Sequence, residues 1–148
     1  MRRALAYRMK ALVVLDTNFL LIPAQFGVDV FAELERVLDF QHEVVMIDVA
    51  RAELEALCED KKTSATDRRA ARLGLQLLKA KGIRVVSSDK GKVFKTPDKA
   101  TLDFAIAGCT IQPKSVVVAT QDKLLRDQLR AANVPVIVLR QRQYLELQ

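Results

Sequence analysis

Five short runs rich in β-branched residues recur along this chain, and stretches of helical spacing separate each from the next. The runs are 11–15 (ALVVL), 43–47 (EVVMI), 83–87 (IRVVS), 115–119 (SVVVA) and 135–139 (PVIVL). Helical patterns fall at about 28–40, 49–59, 65–81, 98–110 and 121–132. Strands separated by helices imply right-handed crossovers, which give a mostly parallel sheet covered on both faces. The pattern therefore predicts one doubly wound α/β domain. It should span residues 1–148, with its core at about 11–140 and short basic extensions at the two ends. A chain of 148 residues can bury one proper core and is too short for two ordinary domains. Gly82 after "LLKAK" is a helix stop, and Thr96-Pro97 is a helix start with Pro at the first helical position.

Composition narrows the classes. With 50% hydrophobic and 28% charged residues the chain is globular rather than disordered. Its longest apolar runs are strand-length, too short to span a bilayer. "MRRALAYRMK" has the basic start of a signal peptide without the apolar segment and cleavage site that follow one, so a soluble cytoplasmic protein is expected. Cys58 and Cys109 stand far apart in helical stretches, with no metal-ligand spacing, and read as small core residues. A lone histidine, His42, cannot build a zinc site. Net charge is +6, which favours an anionic partner, nucleic acid above all. The long polar connection "SSDKGKVFKTPD" (87–98) carries part of that charge.

Helical periodicity sorts the acids. In "GVDVFAELERVLDF", Asp29, Glu33, Glu35 and Asp39 fall outside the apolar stripe and read as solvated surface. In "DVARAELEALCE", Glu53 stands four residues after Val49 and four before Leu57, so it should point with the core residues, while Asp48 reads as an N-cap. "TLDFAIAGCTI" is apolar nearly all round and should be largely buried, yet it holds Asp103, with Lys99 the only nearby lysine on that face. Asp98 suits the helix dipole. In "VVVATQDKLL", Thr120 reads as the N-cap and Asp122 as a first-turn acid just past a strand's carboxyl end. Asp16, in "ALVVLDTNFLLIP", also follows a strand, between two greasy segments where an ionised carboxylate is costly unless something pairs with it.

Asp16, Glu53, Asp103 and Asp122 thus survive from well-separated parts of the chain, each placed to reach one end of the sheet, where open α/β folds bind ligands. No histidine or cysteine accompanies them. All-oxygen ligation selects Mg²⁺ or Mn²⁺ over zinc. Thr17, Asn18 and Thr120 are placed to hold waters or orient the carboxylates.

"VVLDTNFLLIP", "AELEAL", "DFAIAG" and "ATQDKLL" together resemble the PIN-domain nucleases, over about residues 11–140. The opening "LDTNFLLIPAQFGVDVFAELERVL" is most similar to archaeal PIN proteins related to the small-subunit ribosomal-RNA processing nucleases, and less to toxins of toxin–antitoxin pairs. The resemblance implies a three-layer α/β/α fold with a five-stranded parallel sheet in order 3-2-1-4-5. It further implies a Mg²⁺- or Mn²⁺-dependent endoribonuclease, frequently a homodimer. Carried over residue by residue, Asp16, Glu53, Asp103 and Asp122 match the four family acids, with Asp16, Asp103 and Asp122 as metal ligands. Thr120 matches the small hydroxyl before the last acid. Such relatives carry two adjacent aspartates at the third motif; here Leu102 precedes Asp103, and Asp98 is the acid that compensates from a turn earlier.

The reaction expected is metal-assisted hydrolysis of an RNA phosphodiester in ribosomal-RNA processing, with Lys92, Lys95, Lys123 and Arg126 holding the strand. The alternatives are a catalytically weak RNA-binding scaffold of ribosome assembly, or a toxin-type ribonuclease with an antitoxin partner. A phospho-receiver domain would want two neighbouring early acids and a lysine after the last strand, and neither is evident.

Overall fold

The computed structural model describes residues 10–88 and 96–148. Six strands form one sheet in the order β3-β2-β1-β4-β5-β6. They are β1 (Ala11–Leu15), β2 (His42–Ile47), β3 (Arg84–Val86), β4 (Val116–Ala119), β5 (Val136–Arg140) and β6 (Tyr144–Leu147). The first five run parallel, in the order expected. The sixth is new. The segment read as a basic C-terminal extension turns back and pairs antiparallel with β5, Leu139 opposite Leu145.

Period-two alternation divides the core between the two faces. Val13, Leu15, Met46, Val117, Ala119, Ile137 and Leu145 point to one side. Val14, Val45, Ile47, Val116, Val118, Val136 and Val138 point to the other. On the first side the chain leaves β1 as a 3₁₀ turn (Thr17–Leu21), then α1 (Ile22–Phe26) and α2 (Val30–Val37). The same layer holds α3 (Asp48–Glu59) and α4 (Ala65–Ala80), while α5 (Pro97–Ile111) and α6 (Lys123–Ala131) cover the second face. Gly74 lets α4 press onto the 3₁₀ turn: a Cβ there would stand 2.5 Å from the Leu20 carbonyl oxygen.

Several local readings change. Helix α5 is apolar nearly all round, but only Ala100, Thr101 and Ala105 are buried and Ile111 is 87% exposed. It lies on the second face with one side left open. Glu33, read as solvated surface, has a side chain only 20% exposed and accepts the Leu145 N–H at 2.9 Å. Arg36 pairs with Glu33 and donates to the Leu145 carbonyl at 2.9 Å. The two side chains of α2 thus occupy both backbone groups of Leu145, which β6 turns away from β5. No periodicity in α2 signals this, because the partner strand lies 109 residues away.

Asp48 is not an N-cap. Ile47 holds that position, and the Asp48 carboxylate accepts the N–H groups of Val49 and Ser88 at 2.8 and 3.1 Å, tying the start of α3 to the exit of β3. The helix signals at Thr96 and Gly82 appear as expected. The Thr96 side chain accepts from Lys99 N–H at 3.2 Å, and Gly82 takes a φ of 62° just past α4.

Candidate active site at the carboxyl edge of the sheet

Parallel strands bring their carboxyl ends to one edge, and β1 and β4 lie side by side there. The ladder continues one residue beyond the strands: Asp16 N–H donates to the Ala119 carbonyl at 3.0 Å, and Thr120 N–H to Ile137 at 3.2 Å. Asp16 and Thr120 are therefore fixed by backbone pairing before their side chains interact. The Thr120 hydroxyl then donates to Asp16 Oδ2 at 2.7 Å, and Thr17 N–H donates to Oδ1 at 2.9 Å. Asp16 is 1% exposed and Thr120 fully buried. Thr120, the N-cap the sequence predicts, does not cap α6. Asp122 takes that place instead, accepting the Leu125 N–H at 2.9 Å, while its own N–H donates to the Thr120 hydroxyl at 3.0 Å. Thr120 thus links the two acids through one oxygen.

The neighbours complete the frame. Asn18 Oδ1 accepts the Gln121 N–H at 3.3 Å, joining the loops after β1 and β4, and the Thr17 hydroxyl donates to the Ala50 carbonyl at 3.2 Å, joining that loop to α3.

Charge converges on Asp16. Its carboxyl is raised from 3.8 to about 6, first because burial strips it of water, with the negative charges of Asp98 and Glu53 adding to the shift; the Thr120 and Thr17 hydrogen bonds oppose it. Asp98, an exposed residue in the first turn of α5, is also raised, first by partial loss of water and then by the charges of Asp122 and Glu53. Asp98 is thus the charge common to the group: it acts on Asp16 and is acted on by Asp122 and Glu53. Glu53, expected among the core residues of α3, is exposed. The buried stripe is Ala50, Leu54 and Cys58, and Glu53 lies outside it, near enough for its charge to act on Asp16 and Asp98.

Asp103 is not among these four. It makes an ion pair with Lys99 at 3.1 Å and lines a groove along α5 that reaches from Ser87 and Ala100 to Leu12 and Val116 at the amino ends of β1 and β4. Five residues along a helix turn a side chain by about 140° and shift it about 7.5 Å, so Asp98 and Asp103 cannot both face one edge. The available signal was the strand-edge position of the helix start, which favours its first turn.

Of the cations assigned to RNA, Lys123 pairs with Asp127 at 3.2 Å. Arg126 is half-buried one turn after Asp122, its Nε enclosed without a partner. Lys92 and Lys95 lie outside the described residues. His42 bonds the Phe40 carbonyl at the start of β2, at the other end of the sheet.

The donor set suits a hard divalent cation: carboxylates and hydroxyls, no thiolate, no imidazole. None of the described lysines or arginines pairs with Asp16, Glu53, Asp98 or Asp122. Among the described residues no three acids, histidines or cysteines lie close enough to encase an ion by themselves.

Comparison with known proteins gives the lineage. A family model described as a PIN like domain matches residues 13–142. Over 135 residues the chain is 31% identical to Ribonuclease VapC4 of Methanocaldococcus jannaschii, covering 91% of this chain and 95% of that protein. The chain belongs to the PIN-like domain family. The solved structure of the PIN domain endonuclease Utp24 shares the fold, with a TM-score of 0.66 at 24% identity over 93% of this chain and 90% of that one. Within this PIN-like domain no described helix is long and apolar enough to cross a membrane.

Proposed function

We propose that this PIN-like domain is a Mg²⁺- or Mn²⁺-dependent endoribonuclease that hydrolyses RNA phosphodiesters at the carboxyl edge of its sheet. The observation that carries the reading is Asp16: a buried carboxyl pushed up to about 6, among acids and without a cation beside it. A structural acid of that kind would be replaced or paired; one awaiting a divalent ion is raised until the ion arrives. The 31% identity to a protein named a ribonuclease supports RNA as the substrate.

Asp16 and Asp122 would hold the ion directly, with Glu53 and Asp98 reaching it through water. When bound, such an ion supplies an acidic water and neutralises charge on the phosphate. The chain's own residues provide orientation. Thr120 holds the Asp16 carboxylate at Oδ2 and receives Asp122 N–H, so both acids keep one alignment. Thr17 N–H fixes the other oxygen of Asp16, and Asn18 holds the Gln121 backbone beside them. Asp103, paired with Lys99, is left out of this assignment. Ribosomal-RNA precursors are the substrate class favoured by the opening motif.

Purified protein with Mn²⁺ should cut single-stranded or structured RNA, and Asp16→Asn should abolish the cleavage. A variant that cuts undiminished would show the activity to reside elsewhere.

A further inference from the structure

The turn joining β5 to β6 is built from residues that resist its shape. Gln141 and Arg142 hold φ of 52° and 56°, and Gln143 N–H donates to the Arg140 carbonyl at 3.0 Å. This is the φ pattern of a type I′ turn, which favours Asn-Gly because a side chain crowds its own backbone there. Gln141, Arg142 and Gln143 are exposed, so no core packing accounts for them. Strained side chains kept on a surface turn point to a use for those side chains.

Placement suggests the use. Because β5 runs parallel to β4, its carboxyl end carries this turn to the edge where Asp16 and Asp122 lie. There Arg142 sits over the Phe26 ring, 5.8 Å from its centroid. Phe26 is 36% exposed, on a chain where only 5% of residues are aromatic. It ends α1, the segment that starts from Asp16 through the 3₁₀ turn. Ten residues at helical rises put it no more than about 18 Å from that acid.

Phe26, Gly27, Arg142 and Gln143 line a shallow pocket of about 380 Å³, together with Asp29 and Glu33. Both of those carboxylates are engaged, Asp29 by Ala32 N–H and Glu33 by Arg36 and Leu145. Arg140 is paired with Glu146 at 3.3 Å, whereas Arg142 makes no ion pair among the described residues. A flat ring, a planar cation free to reach a phosphate and an amide at the rim are together the elements that hold an unpaired nucleotide.

We infer that this pocket is a subsite for single-stranded RNA, in which Phe26 and Arg142 stack an unpaired base and Arg142 also meets its phosphate. It would grip the strand a few nucleotides from the scissile bond. The inference rests on the ribonuclease reading, and it favours single strands because a duplex hides the base faces.

The test is binding of a short labelled single-stranded RNA of mixed sequence, and of its duplex, in EDTA so that nothing is cut. Phe26→Ala should weaken single-strand binding about tenfold. The double variant Gln141→Asn/Arg142→Gly should do the same and lower the salt dependence of log Kd by about 0.7. It should also raise Tm by about 2–4 °C, since it relieves the turn, which separates lost contact from lost fold. If that variant does not fold, Arg142→Glu should weaken binding at unchanged Tm. Single-strand affinity equal to the parent's in these variants, or equal losses for single strand and duplex, would overturn the subsite. Cleavage that persists in Asp16→Asn would instead overturn the ribonuclease reading, whatever the binding arms give.

Discussion

Asp16 carries an energetic cost that the fold does not relieve by itself. Its folded carboxyl titrates at about 6 against an ordinary 3.8, so the folded protein holds that proton more tightly than the unfolded chain does. The contribution of Asp16 to stability is therefore fully present below about pH 4, declines as pH rises through 6, and leaves a deficit of about 3 kcal/mol at neutral pH. An uncharged amide avoids that deficit. It can still accept the Thr17 N–H and can donate to the Thr120 oxygen. Asp16→Asn should therefore unfold at higher urea than the parent at pH 7.5, with the gap closing toward pH 4. Adding Mg²⁺ at pH 7.5 should raise the parent's midpoint and leave the variant's unchanged. A parent more stable than the variant at pH 7.5 without metal would show that Asp16 is not desolvated as described.

Helix α5 shows how one turn selects between two aspartates. Its first turn abuts the carboxyl edge, where Asp98 meets the charges of Asp122 and Glu53, whereas Asp103 is directed toward Lys99 and the groove along α5. Helical periodicity and the motif-like "DFAIAG" both favour Asp103 on the expectation that this helix is buried all round; one side of the helix is instead open, which lets Asp103 pair with Lys99. Asp98→Asn should reduce the single-turnover cleavage rate at least tenfold, about 1.4 kcal/mol in the barrier. Asp103→Asn should remain near the parent, since a half-exposed i,i+4 pair is worth only about 0.3–0.5 kcal/mol. The reverse ranking would return Asp103 to the site.

Across the whole molecule, the sheet is closed at one side by a contact between distant segments. β6 pairs with β5 on one edge and offers the backbone groups of Leu145 to Glu33 and Arg36, so the middle of a strand edge that would otherwise recruit neighbours is occupied. Arg36 and the Leu145 N–H hold the Glu33 carboxyl below its usual range, so its support is present at neutral pH and lost as pH falls. Glu33→Ala should lower stability by about 1–3 kcal/mol, the cost of leaving a shielded N–H unpaired, read from urea unfolding. Hydrogen exchange at Leu145 should quicken more than in β1. The alternation of β-branched runs with helical spacing determined the fold class, the five parallel strands and their helical layers, because hydrophobic periodicity is a local property of the chain. It also marked Asp16 and Asp122, which stand where strands end. The tertiary structure alone decided that Thr120 ties those two acids together, that the charge of Asp98 reaches Asp16 while Asp103 pairs with Lys99, and that the last eight residues supply a sixth strand. Those outcomes depend on which strand edges become neighbours and how each helix is rotated on the sheet. Long-range packing sets both, and no window of sequence contains it.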